Sequence, residues 1–220
     1  MSFGNFGRLA FAAVLASALA GGFDAAAQTV QPLQTAQAPA APPAQPPQAA
    51  PAPRPAAPLR ILDEVKLGLV AHDVGIGGHH REDGVDVNFE VLFASPDIFK
   101  YILKPRPIFG LDANSKGLTN QYYVGLAWGG TFYEPGWSRG DGFFGYFSFG
   151  PAVHDGKLDT TDPTRKSLGS RVLFREAVDL GYHFNDVISF AAFLDHISNA
   201  NLANRNEGLT NMGGRVGFRF

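Results

Sequence analysis

Apolar and polar side chains alternate along most of the chain after residue 60, and this period of two is typical of β-strands with chemically different faces. Turn-forming Gly, Pro, Asn and Asp residues divide the alternating region into eight segments. We predict strands at Leu62–His72, Val85–Phe93, Ile108–Ala113, Gln121–Phe132, Phe143–Val153, Arg171–Phe184, Ile188–Ser198 and Leu209–Phe220. Eight is the smallest strand number usual for a closed outer-membrane barrel. The pattern therefore predicts an all-β fold, an eight-stranded antiparallel barrel over residues 60–220.

The last predicted strand indicates the environment of this barrel. Its even row is apolar and includes Val216 and Phe218, whereas its odd row contains Arg215 and Arg219. This is the apolar-out, polar-in arrangement of a transmembrane barrel, so we expect both arginines in the lumen. A soluble exported barrel that binds an apolar ligand would instead bury the apolar row. The alternating aromatics before Phe220 resemble the C-terminal signal of outer-membrane proteins, which favours the membrane barrel and recognition of Phe220 by the barrel-assembly machinery.

The first 59 residues have a different composition. Residues 1–27 contain Arg8, a short apolar run and three alanines, a pattern typical of a secretory signal peptide cleaved after Ala27. The apolar run is short for a transmembrane anchor. Residues 28–59 are dominated by Ala, Pro and Gln and cannot bury a core, so we predict a disordered linker that acts as a spacer or a tether.

Composition excludes several kinds of chemistry. The chain has no cysteine, so disulfides, zinc–thiolate sites and thiol nucleophiles are excluded. A net charge of -2 argues against a nucleic-acid partner held by a basic face. His79 and His80 lie in a polar, Gly-rich stretch without the carboxylate spacing of a metal site, so we predict no metal and no cofactor.

The candidate chemistry lies at the end of the seventh predicted strand. His196 and Ser198 are two residues apart, so they project from the same face, as a base and a nucleophile would. They end the apolar even row of that strand and would therefore face lipid. If the chain enters the barrel from the periplasm, this strand ends near the outer leaflet, where lipopolysaccharide is found.

The sequence H-x-S-N-A followed by N-x-G-L resembles the lipid A 3-O-deacylase (PagL) family, an acyloxyacyl-hydrolase-type group of outer-membrane enzymes. The matching residues are His196, Ser198, Asn199, Ala200, Asn206, Gly208 and Leu209. The resemblance implies that His196 is the catalytic base, that Ser198 is the nucleophile, and that lipid A in the bacterial outer membrane is the substrate. It also implies a catalytic acid two residues after Gly208, where this chain has Thr210.

Two glutamates are candidates for the missing acid. If residues 185–187 form a three-residue hairpin loop, Phe184 pairs with Ile188, and Glu176 then lies directly opposite His196. Glu207, just before the last strand, is the alternative. We expect Asn199 or nearby backbone N–H groups to bind the oxyanion.

Charged residues on the odd rows predict a lumen filled by ion pairs instead of a pore. They are Arg171, Arg175, Asp179, Asp195, Arg215 and Arg219. Two functions remain open at this point: a lipid A deacylase that uses a Ser/His mechanism on the outer face of the barrel, and a catalytically inactive structural or interaction barrel. Only the deacylase gives a reason for His196, Ser198 and Glu176 to stand among lipids.

Overall fold

The computed structural model describes residues 61–76 and 78–220, which form a closed barrel of eight strands. Each strand pairs antiparallel with the next, and the last pairs with the first. The strands are β1 (Leu62–Ala71), β2 (Val85–Phe93), β3 (Arg106–Asn114), β4 (Gln121–Tyr133), β5 (Gly142–His154), β6 (Val172–His183), β7 (Ile188–Ser198) and β8 (Leu209–Arg219). All eight predicted strands are confirmed, with ends that differ by no more than two residues. The predicted signal peptide and linker lie outside the described residues.

Side-chain alternation sets the two faces of the barrel wall. On β8, Arg215 is 2% exposed, whereas Val216 and Phe218 are 37% and 39% exposed. Burial likewise alternates along β6 and β7, with apolar side chains on the outward rows. The predicted parity of β8 is confirmed, because the opposite parity would bury Val216 and Phe218 and expose Arg215. Among the described residues, no helix is long and apolar enough to cross a membrane.

Ion pairs fill the lumen. Asp179 accepts hydrogen bonds from Lys66 Nζ at 3.0 Å and from the Arg215 guanidinium, and Arg215 also lies 3.2 Å from Glu90. Arg175 Nε donates to Asp195 Oδ2 at 3.1 Å. These side chains are nearly fully buried, so each charge is compensated only by its partners in the lumen.

The prediction for Arg171 is wrong. This residue precedes β6, is exposed, and donates to the backbone carbonyls of His154 and Gly156. It lies beyond the end of the strand, where alternation no longer decides which way a side chain points. Arg219 is half-buried at the opposite mouth of the barrel, where it donates to the carbonyls of Gly140 and Asn185.

Four loops meet at one end of the barrel, which we call the long-loop end: residues 72–84, 115–120, 155–171 and 199–208. The buried imidazole of His72 bridges two carboxylates at this end. Its Nδ1 lies 2.8 Å from Asp86, and its Nε2 lies 3.2 Å from Glu82. Glu82 also accepts from Arg165 Nε at 3.1 Å and from the backbone N–H of Lys166 at 2.9 Å. The β1–β2 and β5–β6 loops are therefore fastened together over the lumen.

These contacts change the pKa values of His72 and Glu82. Burial of the His72 imidazole opposes its charge, but hydrogen bonds and charge from Asp86 and Glu82 outweigh it and raise the pKa of His72 to about 9. Burial likewise opposes the charge of Glu82, yet the bonds from His72 and the Lys166 backbone lower the pKa of Glu82 to about 2. Both groups are therefore charged at neutral pH.

Candidate active site

His196 and Ser198 lie on the outward row of β7, close to the long-loop end. Both side chains are half-buried, while Ile197 between them is fully buried in the wall of the barrel. The outward row continues along β7 as apolar side chains that include Phe190, which is 50% exposed. His196 and Ser198 therefore share the row of β7 that carries its exposed apolar side chains.

The register around His196 agrees with the sequence prediction. Glu176 of β6 is directly opposite His196 on one side, and Thr210 of β8 is directly opposite on the other. The hairpin between β6 and β7 closes as expected, with the Phe184 N–H donating to the Ile188 carbonyl at 2.9 Å. The three-residue loop thus fixes which β6 residue faces the imidazole.

A hydrogen-bond relay holds the imidazole from the β8 side. His196 Nδ1 lies 2.7 Å from Thr210 Oγ1, and that hydroxyl donates to the Ile76 carbonyl at 2.7 Å. Because the only hydroxyl proton goes to Ile76, Nδ1 must be the donor to Oγ1, and Nε2 then carries the lone pair of the neutral ring. An imidazole in this tautomer has a free basic nitrogen.

Neither candidate carboxylate bonds to the imidazole. Among residues 61–76 and 78–220, Glu176 is half-buried on the same face as His196 but forms no ion pair with it. Glu207 is engaged in the loops, where it accepts from the Ser167 N–H at 2.6 Å and lies 2.9 Å from Arg81 Nη2. The position of Glu176 matches the prediction, whereas its role as the acid stays a prediction.

Gly208 packs against the imidazole and has a conformation that suits glycine. Its φ is +61°, and a Cβ there would lie 2.9 Å from His196 Cε1 and 3.2 Å from Nε2. A side chain at residue 208 would therefore displace the ring or cover its basic nitrogen. The glycine of the N-x-G-L sequence thus keeps His196 accessible.

Asn199 fastens the loops beside the site. It is 3% exposed, and its side-chain amide donates to the carbonyls of Leu168, at 2.9 Å, and Arg205. Its backbone N–H donates to Asn206 Oδ1 at 3.0 Å. All three N–H groups of Asn199 are engaged, so binding an oxyanion would require it to release one of these bonds. That role stays a prediction.

An apolar groove of about 270 Å³ runs next to Ser198 on the outer surface. Phe174 of β6 lines it and is directly opposite Ser198 in the sheet. The other apolar side chains that line the groove are Phe149, Pro151, Val172, Leu173, Leu202 and Ala203. Because Phe174 and Asn199 both line the groove, it reaches the neighbours of Ser198 in the sheet and along the chain.

A protein-family model described as Lipid A 3-O-deacylase (PagL) matches residues 107–219, slightly more than half of the 220-residue chain. The chain belongs to this family. The match contains His196, Ser198, Gly208 and Thr210. Membership of the lipid A 3-O-deacylase (PagL) family confirms the resemblance predicted from the sequence, and together with the barrel it confirms the bacterial outer membrane as the location.

A solved structure shows the same fold. The outer-membrane enzyme PagL has a TM-score of 0.53 and 15% sequence identity over 70% of this chain and 97% of that chain. The N-terminal barrel domain of Pseudomonas aeruginosa OprF matches at 15% identity with a TM-score of 0.44, over 73% of this chain and 100% of that chain. Neisserial surface protein A matches at 10% identity with a TM-score of 0.45, over 73% of this chain and 97% of that chain. No curated protein sequence matches the chain.

Sequence reasoning missed the relay through Thr210, which it treated only as the place where the PagL-family acid is absent. The signal was available in part, because Thr210 lies on the even row of β8 and therefore shares a face with His196. Strand alternation could not reveal Ile76, because Ile76 lies in the β1–β2 loop. That loop also precedes the residues that match the PagL family. Among the described residues, no group of three or more His, Asp or Glu side chains could hold a metal ion.

Proposed function

We propose that this protein is a lipid A 3-O-deacylase, a carboxylic ester hydrolase that cleaves the ester-linked acyl chain at the 3-position of lipid A. The observation that supports it best is the pairing of His196 and Ser198 on the outward face, with the imidazole in the tautomer that leaves Nε2 basic. A structural or interaction barrel has no use for these two polar side chains on a lipid-facing row.

In the proposed reaction, Ser198 Oγ attacks the ester carbonyl while His196 Nε2 takes the hydroxyl proton. Collapse of the tetrahedral intermediate breaks the ester bond, and His196 returns the proton to the leaving sugar hydroxyl. Water, activated by the same nitrogen, then hydrolyses the acyl-serine and releases a 3-hydroxy fatty acid. The scheme needs no cofactor. His196 and Ser198 share no hydrogen bond in the described residues, so substrate binding has to bring the hydroxyl to Nε2.

Thr210 acts as the positioning residue in this proposal. A carboxylate at this position would both orient the imidazole and stabilise its positive charge after proton transfer. The Thr210 hydroxyl, itself fixed by the Ile76 carbonyl, supplies the orientation without the charge. Glu176 across the sheet then supplies the negative charge through space, which is the form that its predicted role as acid takes here. Glu207, already paired with Arg81, is the alternative acid.

In this proposal, the turn that follows Ser198 stabilises the oxyanion. Ala200 and Asn201 both have positive φ, of 54° and 63°, and the Leu202 N–H donates to the Asn199 carbonyl at 3.0 Å. Asn199, or the backbone N–H groups of this tight turn, would donate to the developing oxyanion, at about 3 kcal/mol per donor.

The lipid-facing placement suits a substrate that is itself a membrane lipid. The acyl chain to be removed would lie in the groove beside Phe174, with its ester at Ser198. Lipid A would reach the site by lateral diffusion in the outer leaflet and would not enter the filled lumen. Recognition of Phe220 by the barrel-assembly machinery stays a prediction.

Release of 3-hydroxy fatty acid from lipopolysaccharide by the protein folded in detergent micelles tests the assignment. Ser198→Ala and His196→Ala should each abolish release, while Ser138→Ala and His79→Ala, at exposed positions in loops, should release it at the wild-type rate. Heat-modifiable gel mobility checks that every variant is folded. Equal release by wild type and Ser198→Ala would rule out the serine mechanism.

A further inference from the structure

The β2–β3 connection, residues 94–105, has exposed apolar side chains at the end of the barrel opposite the site. It contains a short 3-10 helix, Asp97–Ile102, that buries none of its residues. Three side chains of the β2–β3 connection are strongly exposed: Ile98 at 75%, Tyr101 at 82% and Leu103 at 87%. Side chains of this kind are unfavourable in water and need a partner.

The connection is attached to the outer wall of the barrel. Trp128 lies on the outward row of β4, where its ring stacks with that of Phe147 on β5. Its indole Nε1–H donates to the Ile102 carbonyl at 2.9 Å. Since β3 pairs with β4 only as far as Ala127, the connection lies beside the part of β4 that continues past β3.

Exposed aromatic side chains surround this end of the barrel. They are Phe132, Tyr133, Trp137, Phe143, Phe184 and Phe220. Aromatic girdles of this kind mark the level of the membrane–water interface in transmembrane barrels. The outward indole of Trp128 therefore holds the connection against the lipid-facing wall beside this interface.

The chemistry of the connection matches that level. Lys100 Nζ lies 4.8 Å from the centre of the Tyr101 ring, so the ammonium group stands above an aromatic face, and Lys104 follows two residues after the helix. Long basic side chains reach the headgroups while their aliphatic parts stay in apolar surroundings. An apolar groove of about 470 Å³, lined by Ile61, Phe93, Pro96 and Pro107, opens beside the helix.

We propose that the β2–β3 connection is an interfacial anchor that binds the phospholipid leaflet at the end of the barrel opposite the long-loop end. Ile98, Tyr101 and Leu103 insert at the boundary between headgroups and acyl chains, and Lys100 and Lys104 contact lipid phosphates. The partner is lipid because the apolar surface of the connection continues the lipid-facing wall to which Trp128 attaches it. The anchor fixes the depth of the barrel in the membrane, and it does not depend on the proposed catalytic activity.

Single-cysteine spin labels test this proposal, because the chain contains no cysteine of its own. Ile98→Cys and Leu103→Cys are compared, in the full barrel folded into phospholipid vesicles, with two references. Leu180→Cys, on an outward position of β6 that is 60% exposed, reports lipid, and Arg139→Cys, whose side chain is 94% exposed in the β4–β5 loop, reports water. Relative accessibility to oxygen and to a water-soluble nickel chelate gives the depth of each label.

We expect the oxygen-to-nickel ratio at residues 98 and 103 to exceed that at residue 139 severalfold and to approach that at residue 180. Replacing part of the zwitterionic lipid by phosphatidylglycerol should increase the difference, since Lys100 and Lys104 favour anionic headgroups. Ratios at both positions equal to that at residue 139 in both kinds of vesicle would overturn the proposal. Heat-modifiable mobility confirms that each labelled barrel is folded.

Discussion

Thr210 forms a hydrogen bond with the imidazole of His196, the proposed catalytic base. It stands where the resemblance to the family places a carboxylate, on the same face as His196 and directly opposite it in the sheet. Its hydroxyl fixes the orientation and tautomer of the imidazole through the Ile76 carbonyl, yet it brings no negative charge. Rate and pH dependence should therefore respond differently to substitutions at this position.

Thr210→Val preserves the shape of the side chain but leaves His196 Nδ1 without its acceptor. We expect kcat to fall about tenfold, since losing one such hydrogen bond costs on the order of 1.4 kcal/mol. Thr210→Ser should keep most of the activity. Thr210→Glu should move the acidic limb of the pH–rate profile to higher pH, because a neighbouring carboxylate favours the protonated imidazole. A wild-type rate and pH profile for Thr210→Val would show that the relay does not position His196.

The residues of the site differ in how far the sequence could reveal them. His196, Ser198 and the position of Glu176 follow from strand parity and from the length of one hairpin, which are local properties of the chain. The contact between Thr210 and Ile76 joins residues 134 positions apart, and no local pattern encodes it. Asn199 is used by loops whose path depends on the whole fold, so its hydrogen bonds could not be predicted either.

At the scale of elements, neighbouring strands supply the side chains that flank His196. β6 brings Glu176 and β8 brings Thr210 to either side of His196 on β7. Register mattered more than sequence proximity, because Glu207 is closer along the chain and yet its carboxylate binds Arg81 and the Ser167 N–H. The two glutamates therefore make a matched pair for mutation.

Glu176→Gln and Glu207→Gln separate the two candidate acids. Glu176→Gln removes the charge beside His196, so we expect deacylation to slow severalfold at unchanged folding. Glu207→Gln should leave the rate near that of wild type and instead loosen the long loops. Initial rates of fatty-acid release, measured with both variants under the same conditions, decide between them. Wild-type rates for both variants would reduce the site to a Ser198/His196 dyad.

The loops at the long-loop end are coupled through His72. Its pKa is raised to about 9, so its contribution to stability is complete below its ordinary value of 6.5 and is lost as pH rises through 9. Glu82 has a pKa of about 2, so its contribution to stability is complete above pH 4.5, its ordinary pKa, and is lost as pH falls through 2. Both contributions are complete between these ordinary values, and that of His72 is on the order of 3 kcal/mol.

Thermal unfolding at pH 6 and pH 10 tests this coupling. The wild-type barrel should lose more stability between the two pH values than His72→Gln, whose amide can keep hydrogen bonds to Asp86 and Glu82 without a titrating charge. At pH 6 the variant should be the less stable protein. An identical pH dependence in the two proteins would mean that His72 does not fasten the loops.

At the scale of the whole molecule, the barrel is closed, ion pairs fill its lumen, and the candidate site lies on the outward row of β7. The alternation of side chains along the strands predicted this arrangement, because the charged rows have to face inward if the apolar rows face lipid. The prediction failed only where a row ends, as at Arg171. Partner assignments inside the lumen depend on closure between β1 and β8 and were beyond sequence reasoning.

The lumen network should stabilise the fold only as a complete set. Arg215→Met leaves Asp179 and Glu90 buried with one cation fewer, which typically costs about 3–5 kcal/mol. We expect the urea midpoint of unfolding in micelles to fall markedly, whereas Arg139→Met, at an exposed ion pair, should leave it nearly unchanged. Equal midpoints for the two variants would contradict a structural role for the network.

The mass spectrum of lipid A from cells that express the protein is the most direct test of the proposed activity. Expression of the wild-type chain should produce lipid A species lighter by one 3-hydroxyacyl chain at the 3-position, and cells that express folded Ser198→Ala should keep the parent species. If the spectra with wild type, with Ser198→Ala and without the protein were the same while the barrel was present and folded in the outer membrane, the protein would not be a lipid A deacylase.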